Sequence, residues 1–231
     1  MKNIISSPLE IQCSFMEKIN YQLEAFKTFE EVDKLDKKPT LLIHACCAPC
    51  SSHPLTLLCD HFDVTIYYNN SNIYPESEYN RRLEELKRFL KCFEKDYHHH
   101  VKLIVPPYDN EKYNETLEPL KDIPEGGLRC FTCYEKRMDE AYKFASENHY
   151  DYFCTIMTIS RQKSSQKLNE IGKKLQEKYS NCKYLFSDFK KNNGLLHVKE
   201  LKAKYDLYQQ LYCGCKYSYE SRLEYDKNHQ N

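Results

Sequence analysis

Apolar and polar positions along this chain alternate between two periods. Short apolar or β-branched runs at Thr40–Ala45, Phe62–Tyr68, Val101–Val105, Tyr152–Thr158 and Lys183–Ser187 read as strands. Between them the apolar residues recur at helical spacing. Glu76–Lys95 carries the stripe Leu83, Leu86, Leu90 and Phe93, and further helices are predicted over about Cys130–Glu147, Ser165–Tyr179 and His197–Tyr205. In front, residues 8–35 predict an amphipathic helix, with Ser7-Pro8 as cap and first turn and Ile11, Phe15, Ile19, Leu23 and Phe26 along one face. Asp36-Lys37-Lys38-Pro39 breaks that helix, and an irregular region with one short helix is predicted before Gly126-Gly127.

Strands alternating with helices predict a mostly parallel sheet covered on both faces, an α/β sandwich with an extra N-terminal helix. The expected divisions are residues 1–37 as the helical extension, 38–218 as the α/β domain and 219–231 as a C-terminal tail. In such folds ligands bind beyond the carboxyl ends of the strands. The unusual residues fall there: Cys46-Cys47 after the first strand, an Asn-rich loop (69–72) after the second, Ser160–Lys163 after the fourth, and Asp188-Phe189-Lys190-Lys191 after the fifth.

The first strand stops at three cysteines within five residues, Cys46, Cys47 and Cys50, followed by Pro54. Neighbouring side chains in a strand point to opposite faces, whereas a turn can aim both at one object. Arg129-Cys130-Phe131-Thr132-Cys133-Tyr134 supplies a second pair, three apart at a helix start, where the helix dipole favours the thiolate. Four thiolates in two pairs can hold tetrahedral zinc or an iron–sulfur cluster. Directly adjacent cysteines suit the larger cluster better than zinc. Tyr212-Cys213-Gly214-Cys215 adds a third group, able to form a strained disulfide, to stay a dithiol or to join a metal site. Cys13, Cys59, Cys92, Cys154 and Cys182 stand alone and read as packing residues. His98-His99-His100 reads as a loop feature, His44 as a core histidine, and His53 is a weak ligand candidate.

Composition narrows the class. The 231 residues are 41% hydrophobic and 29% charged, ordinary for a globular chain, and no apolar run is long enough to span a membrane. The start lacks the apolar segment of a signal peptide, so the expected compartment is the reducing cytoplasm, where twelve cysteines argue for metal or redox chemistry rather than a disulfide framework. Thirty-four basic and thirty-four acidic residues cancel, which excludes a uniformly basic nucleic-acid binder. Charge is nevertheless uneven. Residues 158–191 hold nine basic side chains against Glu170, Glu177 and Asp188, a candidate phosphate-contacting surface or a solvated helix face. With five glycines in the chain and none in Cys46–Pro54, the usual Gly-rich phosphate loop is missing from the first strand–helix turn.

Several strings together resemble the QueH-type epoxyqueuosine reductases. They are His44-Ala45-Cys46-Cys47-Ala48-Pro49-Cys50-Ser51, Asn72-Ile73-Tyr74-Pro75 with Glu78-Tyr79, and Arg129-Cys130-x-x-Cys133-Tyr134-x-x-Arg137. Thr158-Ile159-Ser160, Lys167-Leu168-Asn169-x-x-Gly172, Ser187-Asp188-Phe189-Lys190-Lys191 and Tyr212-Cys213-Gly214-Cys215 follow in the same order. The match runs from about Lys38 to Ser218. The resemblance implies a fold like the adenine-nucleotide α-hydrolases and the last step of queuosine synthesis, cobalamin-independent reduction of the wobble-base epoxide of tRNA to the alkene. It implies a [4Fe–4S] cluster on Cys46, Cys47, Cys130 and Cys133. Cys213 and Cys215 become a redox pair or, with Cys50, the ligands of a second, mononuclear iron; some family members carry Asp at the position of Cys50. The partners implied are the tRNA carrying epoxyqueuosine and an electron donor. Arg161, Lys163, Lys190 and Lys191 would face the RNA backbone, tyrosines would stack on splayed bases, and Asp188 or Tyr134 would donate a proton. Two other classes fit parts of the pattern: an iron–sulfur tRNA-thiolating enzyme, which lacks its nucleotide loop here, and a zinc module that binds RNA without catalysis.

Overall fold

The computed structural model describes residues 19–229. Five strands form one all-parallel sheet in the order β3-β2-β1-β4-β5: β1 (Thr40–His44), β2 (Asp63–Tyr67), β3 (Lys102–Ile104), β4 (Tyr152–Thr155) and β5 (Lys183–Tyr184). The chain winds outward from β1 through β2 to β3, then returns to lay β4 and β5 on the other side of β1. The strand order therefore reverses between β1 and β4, the place where an open α/β sheet leaves a crevice at its carboxyl edge.

Alternation along the strands divides the core into two layers. Leu41 and Ile43 of β1 join one buried cluster with α1 (Tyr21–Val32), α2 (Ala48–His61) and α3 (Glu76–Tyr97). Leu42 and Phe153 join the other, with α5 (Leu128–Glu147) and α6 (Ser165–Lys178). The short α4 (Asn110–Glu115) precedes α5; α7 (Gly194–Lys204) packs on α2, and α8 (Lys216–Asn228) closes the described chain. Gly194 is required where α7 begins, because a Cβ there would lie 1.9 Å from the Phe189 carbonyl oxygen and 2.9 Å from the His53 ring.

The sheet and its two covering layers agree with the sequence reading; several elements do not. The predicted helix over 8–35 is corrected within the described residues: Ile19 and Asn20 lie outside the helix, and Asn20 caps a helix that starts at Tyr21. Its buried face is Tyr21, Gln22, Ala25, Phe29 and Val32, whereas Ile19 and Leu23 are exposed. Partners decide this rotation. Tyr21 stacks on Phe186 at 5.5 Å, Phe29 stacks on His61 at 4.3 Å, and Gln22 accepts from the Asp188 N–H. Ser7-Pro8, Ile11, Cys13 and Phe15 lie outside the described residues.

The prolines near the first cysteines also mislead. Pro49 does not break the chain but sits in the first turn of α2, where its missing N–H costs nothing, and Pro54 is carried inside the same helix. At β4 the strand ends at Thr155 and gives way to a 3-10 turn over Ile156–Ile159, because the Thr155 hydroxyl accepts from the Met157 N–H. The fifth strand is two residues long rather than five; beyond it Ser187 is bonded to Asn169 instead. A C-terminal helix, which the apolar pattern does not announce, runs through the predicted boundary at residue 218.

A cysteine-lined centre at the carboxyl edge

β1 delivers the first cysteines. After His44 the chain turns, and Cys47 adopts an extended conformation (φ −169°, ψ 161°) as the N-cap of α2, with Cys50 three residues on in the first helical turn. The turn aims what a strand would splay: the sulfurs of Cys46, Cys47 and Cys50 all lie within 4.8 Å of one another, close enough to hold one metal ion. The three share charge. Hydrogen bonds from the Cys47 and Cys50 thiols hold Cys46 well below the usual thiol range, helped by the Lys163 and Arg137 cations. As donors to it, Cys47 is pushed up to about 12 and Cys50 is raised as well.

Cys130 and Cys133 project from the first turns of α5, on the opposite layer. The sequence expectation that the helix start lowers their pKa is corrected: burial raises both, and it outweighs the Gly126 N–H donated to Cys130 (3.3 Å) and the Tyr113 hydroxyl donated to Cys133 (3.3 Å). The third group lies between α7 and α8. Gly214, at φ +130°, lets the loop turn where its carbonyl accepts from the Tyr74 N–H at 2.7 Å, and Cys215 caps α8 by accepting from the Ser218 N–H. Arg82 clamps this loop from below. It is 1% exposed, paired with Glu78 at 2.7 Å, and donates to the carbonyls of Cys213 (3.2 Å) and Tyr212 (3.4 Å).

Two cavities meet at Cys213. Cys130, Cys133, Cys213 and Cys215 line a small one together with Tyr134 and Arg129. Cys46, Cys50 and Cys213 line the larger, of about 430 Å³, whose walls come from the 3-10 turn after β4, from α7 and from residues 209–212. All seven clustered cysteines are free thiols. The grouping differs from the one implied by resemblance: Cys130 and Cys133 stand with Cys213 and Cys215, while Cys50 stands with Cys46 and Cys47.

Cations surround these sulfurs. Arg137 is buried, donates to the Met157 sulfur, and among the described residues has no carboxylate partner; its Nε is unpartnered too. Lys163 lies 5.9 Å from the Tyr134 ring centroid, also without an ion pair among the described residues. Burial opposes the Lys163 charge, but Cys213, Tyr134 and Cys46 outweigh it and hold the ammonium protonated. Tyr134 itself is buried, and burial raises its pKa. A buried cation without a carboxylate is costly unless an anion faces it, and here the facing groups are thiols.

The model of the family described as "Epoxyqueuosine reductase QueH" matches residues 41–221. Proteins carrying that same name align along most of their length. That of Streptococcus pyogenes serotype M1 is 39% identical over 202 residues, 87% of this chain and 79% of its own. That of Staphylococcus epidermidis is 40% identical over 86% of this chain and 84% of its own, and that of Thermotoga maritima 30% identical over 80% and 93%. The chain belongs to the QueH epoxyqueuosine reductase family. The interval matched by the QueH family takes in the whole sheet and all seven clustered cysteines, close to the span that the motifs marked out.

The remaining predicted residues of this QueH-family chain are placed as follows. Asp188 is buried and lines neither cavity: its Oδ2 accepts from the Ser165 hydroxyl at 2.7 Å and its Oδ1 lies 3.1 Å from the Lys190 ammonium. Lys190 also donates to the Thr158 carbonyl at 2.6 Å, and Lys191 is exposed away from both cavities. Arg161 and Lys163 line the large cavity. His44 is a core histidine, bonded to Thr155 at 3.0 Å. His53 meets His197 across α2 and α7, while His99 and His100 make surface pairs with Asp60 and Glu94. Cys59, Cys154 and Cys182 are packed in the core. Sequence reasoning missed Arg82, Gln210, Lys199 and Lys202. A trace of Arg82 was legible as the Glu78–Arg82 helical spacing; Gln210 leaves none. Among the described residues no helix is long and apolar enough to cross a membrane.

Proposed function

We propose that this chain reduces epoxyqueuosine to queuosine in tRNA, without cobalamin. The observation that carries this reading is the convergence of seven free cysteines on Cys213, at the sheet's crevice, beside a cavity large enough for a small ligand. The reaction takes two electrons and two protons, and the epoxide oxygen leaves as water.

The donor set fits an iron–sulfur group: thiols only, with the buried, carboxylate-free Arg137 and Lys163 facing them. The ligands we assign are Cys46, Cys47, Cys130 and Cys133 for a [4Fe–4S] cluster, and Cys50, Cys213 and Cys215 for a second, mononuclear iron. Iron bound there supplies electrons and a Lewis acid for the leaving oxygen.

The chain's own groups do the rest. Arg137 and Lys163 offset the negative charge of the thiolates. Tyr134, kept protonated by burial, stands among Cys130, Cys133 and Cys213 with a phenolic proton to give, and it is better placed than Asp188, which is committed to Ser165 and Lys190. Arg82 holds the Cys213–Cys215 loop in register. Electrons come from an external one-electron donor, and the cation-rich side of the large cavity meets the tRNA. The test is nucleoside analysis of tRNA from cells with and without this chain. Queuosine is expected with it and epoxyqueuosine without it; epoxyqueuosine in both overturns the reading.

A further inference from the structure

The charged residues of the large cavity are one-sided. Arg161, Lys163, Lys199 and Lys202 line it, no carboxylate does, and none of the four makes an ion pair among the described residues. Elsewhere on the same surface lysines are neutralised: Lys167 pairs with Glu170, Lys174 with Glu135, Lys178 with Asp139 and Lys190 with Asp188. The basic excess of residues 158–191 is thus largely internal to helix α6 and its neighbours, and the uncompensated charge lies around the cavity, half of it supplied by α7. Lys199 and Lys202 are three apart on that helix, so both project to one side.

Two other lining residues are unusual. Gln210 donates from its Nε2 to the Cys47 sulfur at 3.4 Å, while its Oε1 is buried with no hydrogen-bond partner. Next to it Leu211 is 67% exposed, more than any other large apolar side chain among the described residues, and it stands at the cavity wall. A buried amide acceptor without a donor suits a ligand that brings N–H groups, as the edge of guanine does. An exposed leucine beside it suits the wedge that fills the gap when a base leaves its stack.

We propose that this cavity takes up the wobble nucleotide turned out of the anticodon stack, its flanking phosphates held by Arg161, Lys199 and Lys202, its base edge read by Gln210, and its place in the stack filled by Leu211. The proposal rests on the reading of the chain as an epoxyqueuosine reductase. Turning the base out is what lets an epoxide on its substituent reach Cys50 and Cys213 at the cavity floor; a stacked anticodon would hold it outside.

The experiment uses two anticodon stem–loop RNAs, one with epoxyqueuosine and one with guanine at the wobble position, each with 2-aminopurine beside it. With full-length, iron-loaded protein, binding is expected to raise the 2-aminopurine fluorescence as its neighbour unstacks. Lys199→Ala/Lys202→Ala should flatten the dependence of log affinity on log salt by about 0.7 for each phosphate no longer held, raising KM while leaving kcat near its original value. Gln210→Ala should weaken binding of both RNAs about tenfold at unchanged salt slope. Leu211→Ala should keep affinity within a few-fold and lose most of the fluorescence rise. Iron content and circular dichroism of each variant establish that it is folded and loaded. If the wild-type protein reduces epoxyqueuosine but shows no fluorescence rise, or the double lysine variant keeps its salt slope, the proposal is wrong and the functional reading stands. If the loaded wild-type protein leaves epoxyqueuosine intact, the functional reading fails first.

Discussion

Helix α2 carries two cysteines nine residues apart whose circumstances have little in common. Cys50, in its first turn, shares hydrogen bonds with Cys46 and Cys47 and opens onto a cavity edged by cations. Cys59, near its far end, sits in the apolar layer, and burial pushes its thiol up to about 12. Cys154 and Cys182 repeat the second case: both are wholly buried in the core, and burial raises both. The residue type is the same, and so is the burial penalty on a thiolate. The difference is distance from the carboxyl edge of the sheet, where chain turns bring several sulfurs and several cations to one place. A thiol becomes a ligand here through company rather than through any property of its own.

The sharpest way to break that contrast is to remove one thiol from each class. Cys46→Ala is expected to abolish iron loading and lower activity on the order of 100-fold or more, while Cys154→Ala keeps its iron and loses about 1–2 kcal/mol of stability as a small cavity defect. Iron assay and thermal unfolding read the two effects separately, and full loading in Cys46→Ala would remove it from the ligand set. Next in size is the Cys213–Gly214–Cys215 loop. Cys213→Ser should lose about one iron and keep the visible spectrum of the four-iron cluster, while a simple electron relay through this pair would lose no metal.

A smaller effect is expected at Arg137. Arg137→Met removes the buried positive charge while keeping much of the volume, so the reduction potential of the bound cluster should become more negative, by roughly tens of millivolts, with iron retained. An unchanged potential would mean that Arg137 is there for packing. Least in size is a pH effect unrelated to iron. Burial lowers His44 to about 3, and burial with the facing His197 lowers His53 to about 4, against about 6.5 for an unfolded histidine. The unfolded chain therefore binds more protons through that interval, and stability must fall as pH drops from about 6.5 toward 4 and then 3. Denaturant midpoints measured across this range should fall less steeply for His53→Phe than for the wild-type protein.

Much of this was legible in the sequence, for physical reasons. The five strands and the site at their carboxyl ends follow from alternating periodicity, and the seven clustered cysteines announce themselves by spacing too tight for packing. The helix register of α1 was not legible, because Tyr21, Phe29 and Gln22 find partners at Phe186, His61 and Asp188, far off in sequence. Nor was the fate of the lysines. Lys190 and Arg161 look alike in a charge count, yet one is tied to Asp188 and the other lines the cavity without an ion pair among the described residues. The start of α2 was obscured by Pro49, which reads as a break until the helix phase is known. Gln210 illustrates the remaining limit: an orphaned acceptor exists only once the surrounding chain has closed over it.

The central claim is that the cysteine centre at the sheet's carboxyl edge reduces the epoxide of epoxyqueuosine in tRNA. Its most direct test is to incubate anaerobically purified, iron-loaded protein with tRNA bearing epoxyqueuosine and a one-electron reductant, then digest the tRNA and quantify nucleosides by mass. The account predicts that queuosine replaces epoxyqueuosine with wild-type protein and with Cys154→Ala, but not with Cys46→Ala. Epoxyqueuosine left intact by the loaded wild-type protein, under conditions where the Staphylococcus epidermidis relative converts it, would contradict the account.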